Sequence, residues 1–199
     1  MKSNVCKIDK GTADLEAILR ESEKVAEYND LDPKQTLQLR LLCEEMDGML
    51  PNVMGGFDGD FYIEFAEGVC RLNASVTFEE FTAGKKEALI NVSKSKKNAA
   101  AVGLLGKIVS GIEDIFLDEE TLRLASVSCG AVPLTAGYGE AIDYSYLWSL
   151  QQYKSDVEKK ETSEAYDELE KSVIAAMADD IIVGVKGKRA EITVVKRFA

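Results

Sequence analysis

The chain has 199 residues, 46% hydrophobic and 30% charged, a balance that can bury a core and that neither disordered nor fibrous sequences share. Its formal net charge of -11 repels phosphate backbones and anionic lipid, so composition argues against nucleic acid and membrane as partners. Histidine is absent, which excludes imidazole-based triads, two-histidine metal sites and imidazole proton shuttles. Chemistry would have to come from carboxylates, lysines, backbone amides or a bound cofactor. The four cysteines, Cys6, Cys43, Cys70 and Cys129, form no Cys-x-x-Cys pair and suit a reducing compartment. With a polar start and no apolar run of bilayer length, they point to a cytoplasmic protein.

In chain order, a short apolar strand at Val5 to Ile8 is followed by a helix that Thr12 or Asp14 can cap, running to Tyr28. Leu15, Ile18, Leu19, Val25 and Ala26 share one face of it. Asp32-Pro33 opens a second helix, Pro33 to Leu50, with Leu39, Leu42, Cys43, Met46, Met49 and Leu50 recurring at core spacing and Pro51 as its stop. From Asp60 the period falls to two: Phe61, Ile63 and Phe65, a turn at Glu67-Gly68, then Cys70, Leu72, Ala74, Val76 and Phe78, an antiparallel hairpin with one packing face. Residues 79 to 101 are polar and lysine-rich, and Gly103 to Gly106 opens an amphipathic helix through Phe116. Two more helices are predicted, Tyr146 to Lys159 and Glu164 to Ala178, and a closing hairpin from Ile181 to Phe198. These elements predict a single α+β domain over 1–199. It is a two-layer sandwich whose mostly antiparallel sheet combines both hairpins and the first strand, with helices on one face and 118–180 as a helical insertion.

The residues Leu37-Gln-Leu-Arg-Leu-Leu-Cys-Glu-Glu-Met-Asp-Gly-Met49, set in the order strand, helix, helix, hairpin, loop, Gly-started helix, closing hairpin, resemble the GHKL or Bergerat-fold ATPases. The nearest branch is the small anti-sigma-factor kinases, and the match spans roughly 5–116 and 181–198. The resemblance implies that Glu45 orients or deprotonates the nucleophile. It also implies that Gly103 and Gly106 bring backbone amides to phosphate, flanked by Lys96, Lys97 and Lys107. Met49 stands where the family holds magnesium with an asparagine, and a thioether is a poor ligand for a hard cation. Glu79 to Gly84 stands where the family has an adenine-reading aspartate and paired glycines.

The expectation is therefore a degenerate GHKL-like regulatory domain with a protein partner and no cofactor or metal. The alternatives are an active ATP- and magnesium-dependent kinase or ATPase and an interaction protein unrelated to that family. The resemblance also admits a homodimer. The plainer reading of Glu44 and Glu45 is two solvated carboxylates, of Cys43 and Cys70 two core thiols, and of the 85–97 lysines a solvated loop. Cys129 is the one reactive-thiol candidate, and a structural role is favoured for it. Trp148 and Tyr153 are expected to pack internally.

Overall fold

The computed structural model of the protein describes residues 1–9, 12–54, 58–77, 146–160, 172–186 and 189–198. Its strands are β1 (Cys6–Asp9), β2 (Thr12–Ala13), β3 (Asp58–Ala66), β4 (Val69–Thr77), β5 (Tyr146–Ser149), β6 (Asp180–Lys186) and β7 (Arg189–Arg197). Its helices are α1 (Leu15–Tyr28), α2 (Pro33–Met54), α3 (Leu150–Lys160) and α4 (Val173–Met177). All described strand pairs are antiparallel and form one sheet in the order β2-β1-β3-β4-β7-β6-β5. The two hairpins lie side by side through β4 and β7, as the sequence predicts, and the fold is an α+β sandwich.

Local chemistry sets the element ends. Asp14 caps α1 by accepting the Ala17 amide at 3.1 Å. Asp32 and Gln35 form a reciprocal capping box at the start of α2. The Gln35 amide donates to Asp32 Oδ1 at 2.8 Å and the Asp32 amide to Gln35 Oε1 at 3.0 Å, with Pro33 at the first helical position. Glu67 (φ 52°) and Gly68 (φ 74°) supply the two left-handed residues that a two-residue hairpin between β3 and β4 needs.

The strand alternation decides which layer is core. Phe61, Ile63, Cys70, Leu72, Val76, Val183, Ile192 and Val194 are fully buried on one face, while Tyr62, Glu64, Asn73 and Thr193 on the other are half-buried and polar. Against the apolar face lie Ile18 and Val25 of α1 and Leu39, Leu42, Cys43 and Met46 of α2, in one continuous cluster. Arg40 ties the two helices on their outer side, meeting Glu23 at 2.7 Å and Glu44 at 3.3 Å.

Three boundaries differ from expectation. Helix α2 runs through Pro51 to Met54, because a proline one turn from a helix end removes only a single ladder bond. Tyr146–Ser149 is not the start of a helix but the edge strand β5, paired with β6 from Tyr146↔Val185 to Ser149↔Ile182. The Asp180 carboxylate explains the switch to α3 at Leu150: it accepts from Ser149 Oγ at 3.2 Å and from the Gln151 amide at 3.1 Å, capping the helix. Of the helix expected from 164 to 178, residues 164–171 lie outside the described residues, and α4 begins after Ser172, whose extended backbone (φ -82°, ψ 113°) and hydroxyl cap it. The turn expected at Gly187-Lys188 lies outside the described residues.

Two glycines should respond oppositely to alanine. A Cβ at Gly59 would stand 2.5 Å from the Ser75 carbonyl oxygen, so Gly59→Ala should cost about 1–3 kcal/mol in urea unfolding. Gly48 is exposed on α2 with nothing within 4 Å of an added Cβ, so Gly48→Ala should stabilise by about 0.5–1 kcal/mol through helix propensity.

Candidate functional site

Helix α2 carries the residues that the family resemblance singles out. Its core stripe turns Leu42, Cys43, Met46 and Met49 inward, and the acidic residues fall on its flanks. Glu45 is half-buried and makes no hydrogen bond or ion pair among the described residues. Glu44 pairs with Arg40, as a solvated carboxylate would. Asp47 is half-buried, and burial raises its carboxyl above the usual carboxylate value. Residues two apart on a helix do not face each other, so Glu45 and Asp47 point to opposite flanks and cannot share one ligand.

Met49 is buried at 4% exposure and belongs to the hydrophobic cluster. It therefore packs, and its thioether offers a hard cation nothing. Among the described residues, no group of three or more Cys, Asp or Glu is placed to hold a metal ion.

Gly103, Gly106, Lys96, Lys97 and Lys107 lie outside the described residues, as do Cys129 and the 79–84 segment. Trp148 and Tyr153 pack against the core with ring centroids 6.1 Å apart. The described thiols are core groups. Burial first, then the neighbouring Cys70, drives the Cys43 thiol well above the usual range against an opposing Ser22 hydrogen bond. Burial pushes Cys70 up to about 12, with Arg71 opposing.

One polar constellation went unpredicted. Glu21, on the buried stripe of α1, is 8% exposed, the one ionisable side chain besides the cysteine thiols that is buried among the described residues. Its carboxylate accepts from the Asn4 backbone amide at 3.0 Å, from Asn4 Nδ2 at 3.1 Å and from Lys24 Nζ at 2.6 Å. Burial pushes its pKa up, but the bonds from Lys24 and from the Asn4 side chain and backbone outweigh it and hold the carboxyl below its ordinary value. The signal was present: Glu21 sits three residues after Ile18 and four before Val25, inside the apolar stripe.

Comparison with protein-family models, with curated proteins and with solved structures finds no match. Among the described residues, no helix is long and apolar enough to cross a membrane.

Asp47 gives a pH test with a definite sign. A folded-state pKa above the unfolded one means that the ionised form opposes folding. Asp47→Asn should therefore stabilise the protein near neutral pH, and the advantage over wild type should disappear as pH falls below the unfolded value of about 3.9. Urea midpoints across pH 3 to 7 read the difference. A gain that persisted unchanged at pH 3 would contradict burial as the cause.

Proposed function

We propose that this protein is a cytoplasmic regulatory domain of degenerate GHKL type, acting by binding a protein partner with little or no nucleotide turnover. The observation that carries the reading is Met49. At the position where the resemblance calls for a magnesium-binding asparagine, the chain has a thioether, and that thioether is core packing. The order of β1, α1, α2, the β3–β4 hairpin and the β6–β7 hairpin agrees with what the resemblance implies. The net charge of -11 and the absence of histidine also favour a protein partner over phosphate polymers or imidazole chemistry.

Thermal unfolding with and without nucleotide tests the reading. A ligand at a hundredfold excess over its dissociation constant stabilises a fold by about 2.7 kcal/mol. Mg-ATP should instead produce little shift. Any anion effect should weaken with salt and respond alike to ATP, pyrophosphate and sulfate. A saturable, magnesium-dependent stabilisation specific to adenine nucleotides and abolished by Glu45→Ala would overturn the proposal and identify an active ATPase or kinase.

A further inference from the structure

Residues 1–9 run along the sheet edge next to β3. Strand β1 meets β3 at three positions, Cys6↔Phe61, Lys7↔Asp60 and Ile8↔Gly59, where β3 and β4 pair over nine. Among the described residues, its outer side is paired at Ile8 and Asp9, by the two residues of β2. Beyond Cys6 the pairing with β3 resumes one residue out of step. Lys2 stands opposite Glu64, the Ser3 amide donates to the Ile63 carbonyl at 2.8 Å, and Asn4 and Val5 together oppose Tyr62. That is a β-bulge, and it turns the Asn4 amide away from the ladder. The Glu21 carboxylate takes up that amide and the Asn4 side chain together. Toward the core, the strand buries Cys6 and Ile8.

We propose that residues 1–9 are a strap that opens from the sheet as a unit while the rest stays folded, that Glu21 is its latch, and that opening uncovers a cryptic thiol, Cys6. A ladder broken by a bulge at the sheet edge and few buried apolar groups are marks of a low-stability opening unit. The latch is the attachment to α1, and bonds to an ionised acceptor are roughly twice as strong as neutral ones. Toward β3 the strap is held by the Lys7–Asp60 and Lys2–Glu64 pairs at 2.6 and 3.3 Å. The charged neighbours of the latch are Lys24, which pairs with it, and Arg20 and Asp14, which act with it on Cys6. Cys43 and Cys70 lie deeper, on α2 and the central β4.

Thiol labelling of the full chain in native buffer by a maleimide, with peptide mapping by mass spectrometry, reads the opening at each cysteine. Cys6 should label at least about tenfold faster than Cys43 and Cys70, because it needs only strap opening and they need global unfolding. Glu21→Gln, which leaves a neutral amide in place of the carboxylate, should speed Cys6 by about tenfold more without changing the ratio between the other two. Asn4→Ala keeps the backbone donor, loses the side-chain one and should give a smaller acceleration. In wild-type hydrogen exchange, the Ile63 amide, which donates to Ser3 Oγ at 2.9 Å, and the Phe65 amide, which donates to the Met1 carbonyl at 2.8 Å, should exchange ahead of Leu72. Equal labelling of Cys6, Cys43 and Cys70, or a Glu21→Gln effect common to these three, would overturn the proposal. Should Glu21→Gln fail to fold, the wild-type comparison and Asn4→Ala still decide it.

Discussion

Strand β4 is paired along all nine of its residues on both sides, with β3 from Val69↔Ala66 to Thr77↔Asp58 and with β7 from Val69↔Arg197 to Thr77↔Arg189. That double ladder is the constraint on which the molecule depends. A shift of one residue would carry Cys70, Leu72, Ala74 and Val76 to the polar face and bring Arg71 and Asn73 into the core, so the register is strongly specified. Polar contacts on the opposite face reinforce it, including the Thr193 hydroxyl donating to Asn73 Oδ1 at 2.9 Å. The positions of α1 and α2 follow, since theirs are the apolar stripes that must cover this face.

The double ladder was legible because its signal is local and redundant. Period-two alternation, a Glu-Gly turn with left-handed torsions and a second alternating pair at 181–198 all indicate one-sided hairpins. Helix starts were legible for a similar reason: Asp14 and Asp32 are cap residues with their acceptors in place. The failures lay where one pattern serves two structures. Leu147, Leu150 and Tyr153 fall at helical spacing, but only the last two are helical, and the pairing of Tyr146–Ser149 with β6 is a tertiary contact that local spacing cannot encode. Ser172 was read through as helix interior because a serine there and a serine cap differ only in backbone torsion.

The site was less legible than the fold. Burial of Met49 and the flank positions of Glu45 and Asp47 follow from the helical stripe and could be read in advance. The Glu21 clasp could not, because its partner Asn4 is 17 residues away and reaches it only after the edge strand has bulged. A carboxylate inside an apolar stripe signals that some donor must exist, since burial without one is too costly. It does not say which.

The place of β7 in the middle of the sheet has a consequence for how the protein is made. Asn73 and Thr193 are neighbours in the sheet but 120 residues apart in the chain. At ribosomal rates of roughly 5–20 residues per second, β4 waits on the order of ten seconds for its second partner. During that time the newborn chain presents a nine-residue strand with one apolar face and one row of backbone groups unpaired, the template on which chains aggregate. The nascent protein is thus most vulnerable at the strand that is best protected once folding is complete, and a chaperone acting on it would act there.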